Sequence, residues 1–290
     1  MMRVRSFSYR SLLPALFAGG LTASAAAQET AKEAKRPDVH FVPTPYEVVD
    51  SMLAIADVKK SDRLFDLGSG DGRIVIAAAK RHGTRGVGID IDPERIKESR
   101  ANAKKAGVTD KVEFRQADLF ETDLSKASVV TLYLLPQLNL RLRPKIYREL
   151  QPGSRIASHA FDMGSWEPDT NFTVGYSGVY YWVVPANVGG EWSLTAPGGR
   201  QYTLSLTQKF QKVEGKAQRD GQAVKLESAR VRGDSVTISL ADGGSTLRLQ
   251  GLVDGGSMSG AIGGSGTNGN GKWTATRKGP APKLGQETED

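Results

Sequence analysis

Carboxylates, glycines and a helix start meet in one stretch, Leu64-Phe65-Asp66-Leu67-Gly68-Ser69-Gly70-Asp71-Gly72-Arg73. An apolar run reads as a strand, an acid stands at its end, and glycines follow at every second position before a helix-compatible sequence. Glycines admit positive φ and let a ligand lie on bare backbone. Alone, such a turn is common wherever a strand passes into a helix. Two further acids sharpen it. The next strand, over 86–89, ends at Asp90, roughly the twenty-residue distance at which a nucleotide-binding fold places a carboxylate for two ribose hydroxyls. A third strand runs out through Gln116-Ala117-Asp118-Leu119. Ligands of open α/β sheets bind outside the carboxyl ends of the strands, so Asp66, Asp90 and Asp118 should converge on one crevice. The competing reading, in which each acid merely caps its own turn, must hold three times over.

The spacing also discriminates between nucleotides. A dinucleotide pyrophosphate takes G-x-G-x-x-G, with the anion at a helix N-terminus. Here the order is Asp66-x-Gly68-x-Gly70-x-Gly72, with a second acid at Asp71. Two carboxylates repel a diphosphate but suit a ligand whose amino acid part is cationic. The loop therefore points to S-adenosylmethionine rather than NAD, with Asp118 as acceptor for the adenine amino group. An NAD-linked oxidoreductase would need the glycine spacing that is missing.

Elements that can position these residues are legible around them. Strands are expected over 63–67, 86–89, 112–114, 129–135 and 155–160, with helices over 46–56, 72–80, 93–106 and 137–150. Thr44 with Pro45, and Asp92 with Pro93 and Glu94, give helix starts. Such alternation implies βαβ units and a mostly parallel sheet. Segments 173–176 and 179–184, split by Ser177-Gly178, read as a closing antiparallel hairpin. Residues 40–185 thus form one α/β domain.

After Pro185 helix signals stop and glycines multiply. Alternating strands over 202–206, 223–226, 235–240 and 247–252, with turn pairs Asp220-Gly221, Gly233-Asp234 and Asp242-Gly243, predict a small antiparallel barrel or sandwich over 186–279. A Gly/Ser/Asn loop over 263–271 leads to a last strand around Trp273, which is expected in the core with Trp192; 280–290 is a polar tail. This part carries no acid pair, histidine or phosphate loop, and reads as a lid, a stabilising module or a partner-binding module.

The chain has 290 residues and a formal net charge of +7, which invites a nucleic-acid reading. Residues 1–27 undo it: Arg3, Arg5 and Arg10 stand without an acid, followed by a short apolar run and the exit Ala25-Ala26-Ala27. This is a signal-peptide layout, so a periplasmic or secreted protein is expected, with a charged linker over 28–39. A mitochondrial presequence or an uncleaved anchor are the alternatives. No basic stripe interleaved with aromatics appears, so no nucleic-acid partner is expected. The absence of cysteine excludes disulfides, thiolate metal sites, cysteine nucleophiles and thioether lipid anchors, leaving no stable membrane anchor after cleavage. With only His40, His82 and His159 besides, no metal centre is expected.

Over roughly 40–185 the sequence resembles the class I S-adenosylmethionine-dependent methyltransferases. Val42-Pro43-Thr44-Pro45, Asp66-Leu67-Gly68-Ser69-Gly70-Asp71-Gly72-Arg73-Ile74-Val75 and Leu132-Tyr133-Leu134-Leu135-Pro136 are similar to bacterial relatives of the lysine methyltransferases of the ATP synthase c subunit. The resemblance implies a seven-stranded Rossmann-like sheet with a final antiparallel strand. It assigns Asp66, Gly68, Ser69 and Gly70 to the methionine portion of the cofactor, Asp90 to the ribose and Asp118 to the adenine. Val42, Pro43 and Thr44 would close over it.

For the acceptor, the place where adenine- and glutamine-modifying enzymes carry Asn-Pro-Pro-Tyr reads Leu134-Leu135-Pro136-Gln137, which disfavours those acceptors. A protein lysine amine is expected foremost, within the wider choice of a protein or small-molecule acceptor. The fifth strand ends in Ser158-His159-Ala160-Phe161, with Trp166 beyond. Tyr133 and Trp166 are the candidate walls of an acceptor channel, and His159 is the candidate proton acceptor. Export puts such a site outside the compartment where the cofactor is made, so the competing expectation is a non-catalytic binding protein on the same fold.

Overall fold

The computed structural model describes residues 40–263 and 271–283. The leader, the linker 28–39, most of the Gly/Ser/Asn loop and the end of the tail lie outside them. The first half runs α1 (Tyr46–Ile55), β1 (Arg63–Leu67), α2 (Arg73–His82), β2 (Arg85–Asp90), α3 (Pro93–Ala106), β3 (Val112–Gln116), β4 (Val129–Leu132), α4 (Pro136–Glu149), β5 (Arg155–His159), β6 (Thr170–Val174) and β7 (Ser177–Val183). Its sheet is seven-stranded in the order β3-β2-β1-β4-β5-β7-β6, parallel from β3 to β5, with β7 antiparallel to both its neighbours. The order reverses between β1 and β4, which is where a crevice opens at the strands' carboxyl ends. Helices α1, α2 and α3 bury Val48, Met52, Val75 and Ala103 on one face, and α4 buries Leu142 and Ile146 on the other.

Local chemistry explains most boundaries. α3 starts where the Asp92 side chain accepts from the Glu94 N–H at 2.8 Å with Pro93 in the first turn. β4 is shorter than expected, ending at Leu132, because Pro136 opens α4 and leaves Tyr133 and Leu134 as the connection. The hairpin turns at Gly175-Tyr176 rather than at Ser177-Gly178, both of which belong to β7. Only Gly175, at φ +60°, adopts the left-handed conformation that a two-residue hairpin needs there. Thr44 does not cap α1: Pro45 is the N-cap and no side chain bonds the helix end.

The second half is a closed barrel of β8 (Gly190–Ala196), β9 (Arg200–Lys209), β10 (Lys212–Arg219), β11 (Gln222–Arg232), β12 (Ser235–Asp242), β13 (Ser245–Asp254), β14 (Ser257–Gly263) and β15 (Lys272–Lys278). Strands β8, β10 and β14 were not expected. Their inward residues are spaced by serine, threonine, glycine and charged positions that mute the apolar signal. Trp192, Trp273, Tyr202, Ile238 and Leu249 fill the interior. A membrane-spanning barrel places its apolar band outside, the reverse of this pattern. Among the described residues no helix is long and apolar enough to cross a membrane.

Two barrel turns meet the sheet domain. At the β11–β12 turn, Gly233 accepts from the Ala186 N–H at 2.7 Å and lies against Gly153 and Val183. At the β9–β10 turn, Phe210 joins the core cluster that holds Trp166, Trp182 and Tyr147.

Candidate active site

Asp66, the last-but-one residue of β1, is fully enclosed and accepts from Thr131 Oγ1 on neighbouring β4 at 2.7 Å. Burial pushes its carboxyl up to about 7, against the pull of the Thr131 hydroxyl and helped by the nearby Asp90 and Asp71 charges. A buried carboxyl held short of ionisation is a place where an incoming cation gains.

The glycine loop is held from within. The Gly68 and Ser69 amides donate to Ile89 O at 2.8 and 2.9 Å, Gly72 N donates to Ser69 O at 2.8 Å, and Gly70 N donates to Asp90 Oδ2 at 2.8 Å. The Arg73 amide at the start of α2 goes to Asp71 Oδ1 at 3.2 Å. These amides therefore do not form the bare N–H cradle that a pyrophosphate requires. Asp71 needs a correction: it is not an unopposed acid facing a cationic ligand. Arg73 grips its carboxylate through Nε and Nη2, at 3.0 and 2.6 Å, and reaches on to Thr44 O at 2.8 Å.

Asp90 also accepts from Asp92 N at 3.0 Å, so its two oxygens are oriented by two backbone amides. Asp118 lies two residues beyond β3 and accepts from Phe120 N at 2.8 Å, while Ala117 N donates to Asp90 O at 3.0 Å and ties the two acids' turns together. The three acids thus share one sheet edge; Asp90 and Asp118 also order their own turns, whereas Asp66 bonds across to β4, so the turn-capping reading holds for two of the three.

On the near side, Val42 and Pro43 are exposed and Thr44 is buried. The closest cover is a residue that sequence reasoning missed. Phe41 lies on Gly70 so tightly that a Cβ there would stand 2.1 Å from its ring, and the Arg95 guanidinium covers it at 5.1 Å. The signal for it was weak: one aromatic before Val42-Pro43 in an irregular segment.

On the acceptor side, Tyr133 and His159 lie together, their ring centroids 3.8 Å apart at 35°. His159 is 3% exposed, and Thr44 Oγ1 stands 3.2 Å from its Nδ1. Burial lowers the His159 pKa, which favours the neutral ring. Trp166 is not brought to this pair. It is fully buried, stacked on Phe210 and edge-on to Tyr147, because the chain after β5 folds back onto α4 and the barrel. Asn139, buried in the first turn of α4, was also missed. Its Nδ2 donates to Phe161 O and Asp162 O at 3.3 and 3.1 Å, fixing the loop beyond His159. That loop leaves β5 through Ala160 at φ +65°, where Phe161 N donates to His159 O at 2.9 Å in a tight γ-turn of the rare positive-φ kind.

A parallel sheet closed by an antiparallel hairpin, an enclosed acid beside a glycine loop without a phosphate cradle, and an acid ending β2 together define a class I S-adenosylmethionine-dependent methyltransferase. Comparison with known proteins agrees. The family model described as the ANTKMT methyltransferase domain matches residues 66–170. The protein-lysine N-methyltransferase of Saccharolobus islandicus is 47% identical over 133 residues, covering 46% of this chain and 83% of the relative. The Mus musculus lysine N-methyltransferase that acts on the ATP synthase c subunit is 32% identical over 177 residues, covering 58% of this chain and 71% of the relative. A solved structure described as an RNA methyltransferase from Salinibacter ruber, in complex with S-adenosyl-L-homocysteine, has 58% sequence identity and a TM-score of 0.50, covering 51% of this chain and 96% of that one. The chain belongs to this family of methyltransferases and is an S-adenosylmethionine-dependent enzyme.

Proposed function

We propose that the enzyme methylates a lysine amine of a protein. The observation that carries this reading is the enclosed His159 packed against the Tyr133 ring at the carboxyl edge of the sheet, where burial favours its neutral form. The names of the archaeal and mouse relatives support it. Asp66, Gly68, Ser69 and Gly70 would hold the amino acid end of the cofactor, Asp90 the ribose and Asp118 the adenine, with Phe41 and the 42–44 segment closing over them. The bound cofactor supplies an electrophilic methyl group on a positive sulfur.

The chain's own task is alignment, exclusion of water and deprotonation of the incoming amine. A lysine arrives as an ammonium without a lone pair. The tautomer of His159 that donates from Nδ1 to Thr44 Oγ1 leaves Nε2 as the base for one ammonium proton, while the apolar surroundings favour the neutral amine. His159 would retain that proton, and the neutral amine it leaves would be the nucleophile toward the methyl group that the bound cofactor supplies.

A second reading, an RNA acceptor, rests on the description of the Salinibacter ruber structure. One assay separates the two: the protein is incubated with cell extract and cofactor labelled in the methyl group. Label recovered as methyllysine after acid hydrolysis, and lost with Asp90→Ala, is the expected result. Label removed by ribonuclease, with none in methyllysine, replaces lysine by RNA.

A further inference from the structure

The barrel turn between β9 and β10 does not end in solvent. At its apex Phe210, at φ +53°, buries its ring parallel to Trp166, with centroids 5.3 Å apart and planes 6° off, and edge-on to Tyr147 of α4 at 5.5 Å. The Arg143 guanidinium covers the same ring at 5.4 Å. Gln211 and Lys212 follow with polar contacts to one residue: Gln211 Nε2 donates to Glu167 O and Lys212 Nζ to Glu167 Oε1, both at 2.7 Å. Gln208 Nε2 holds the turn to the interdomain connection through Ala186 O at 2.9 Å and closes it on Phe210 O at 2.7 Å.

What this turn grips is the far end of the segment that begins at His159. The near end is fixed from inside the sheet domain by Asn139 and by Ser158 Oγ, which donates to Phe161 O at 2.6 Å; Arg143 Nη1 donates to Met163 O at 2.8 Å. Between the anchors the segment is irregular, passes through the γ-turn at Ala160 and has a single isolated bridge, Met163 to Trp166. A strained, irregular segment keeps one geometry only if its surroundings over-determine it. The second interdomain contact, Gly233 on Gly153 and Val183, already docks the barrel without touching this segment. The Phe210 turn therefore adds something docking does not need.

We propose that the β9–β10 turn is a positioning device for the post-β5 segment, with Phe210 as the positioning residue that fixes the approach to His159. The barrel follows the family-matched stretch, which ends at residue 170, so this chain supplies from its C-terminal half a support for the acceptor side of the site. The assignment rests on the reading of His159 as facing the acceptor.

The test uses the full chain carrying Phe210→Ala, Phe210→Tyr, or Gln211→Ala with Lys212→Ala. Amide exchange and the ring titration of His159 by NMR are followed, with S-adenosylhomocysteine affinity measured by calorimetry. Phe210→Ala should speed exchange over 161–167 by about tenfold, the scale of losing aromatic contacts, and shift the His159 titration, while β1 exchange and ligand affinity stay within about twofold. Phe210→Tyr should restore the wild-type pattern. The surface double variant, which cannot empty the core, should speed the same amides by a smaller factor. Unchanged exchange and titration in Phe210→Ala would overturn the proposal, and so would acceleration spread evenly over both halves. None of these readouts needs an acceptor, so their outcome is independent of the methyllysine assay on the wild-type chain.

Discussion

Gly70 and Asp90 are joined by a 2.8 Å hydrogen bond from the glycine amide to Oδ2, so the loop after β1 and the acid after β2 form one bonded piece. Asparagine at 90 has one acceptor oxygen and sets an NH2 against one of the two amides that the carboxylate now receives. Asp90→Asn is expected to weaken S-adenosylhomocysteine binding at least about tenfold and Asp90→Ala about a hundredfold, given hydrogen bonds to a charged group of about 1.5–3 kcal/mol. Calorimetry reads this directly. Wild-type affinity in both variants removes Asp90 from the cofactor site.

Gly70→Ala meets two obstacles, a φ of +52° and the Phe41 ring. The left-handed conformation alone costs an L-residue about 1–2 kcal/mol. Adding Phe41→Ala removes the clash but not the strain. The double variant should therefore recover part of the stability that Gly70→Ala loses, and denaturant unfolding of all four members of the cycle measures the coupling. Strict additivity would mean that Phe41 does not rest on the loop.

The raised pKa of Asp66 sets a pH window. Its carboxyl titrates near 3.8 when unfolded and near 7 when folded, so its contribution to stability is full below 3.8 and is lost as pH rises towards 7. Ligand-free protein should lose stability across that window, and Asp66→Asn should flatten the slope. Binding of the cationic ligand should strengthen over the same window as Asp66 ionises. Parallel pH profiles of unfolding for Asp66→Asn and wild type would refute the assignment.

His159→Gln is expected to cut turnover about a hundredfold, the lower end of general-base catalysis, with ligand affinity kept within about twofold. Thr44→Val removes the partner of Nδ1 and should cost less. Because burial lowers the His159 pKa, wild-type turnover should fall on the acid side of its ordinary 6.5, and this limb should vanish in His159→Gln. A rate insensitive to the substitution leaves deprotonation to solvent.

Export is our proposal from the leader. Protein recovered from its native host should begin at Gln28, as read by N-terminal sequencing. A chain that still begins at Met1 or Met2 contradicts cleavage after Ala27.

The sheet and its acids were legible because β1 and β2, buried along most of their length, leave short runs that close on Asp66 and Asp90; β3, an edge strand with only Phe114 buried, signals less, and its acid Asp118 stands two residues beyond it. Contacts between distant segments were not. Nothing local marks Thr44 as a partner of His159 rather than a helix cap. Trp166 looked like a channel wall because it follows the fifth strand; its burial depends on Phe210, which lies 44 positions further along the chain. The barrel was legible as turns and short strands, but its closure was not, since that depends on which edges meet.

That closure sets an order of events during synthesis. β15 seals the barrel by pairing with β8, Thr274 opposite Thr195 and Ala275 opposite Leu194. Until residues 272–278 have left the ribosome, β8 and β14 each expose an unsealed edge, the kind of surface that recruits other strands. The methyltransferase sheet, whose strand pairing is complete by β7, can form earlier, its post-β5 segment still without Phe210. A nascent chain thus passes through a stage with a paired sheet, an unbraced acceptor side and an open, aggregation-prone second half, which ends when the final strand arrives.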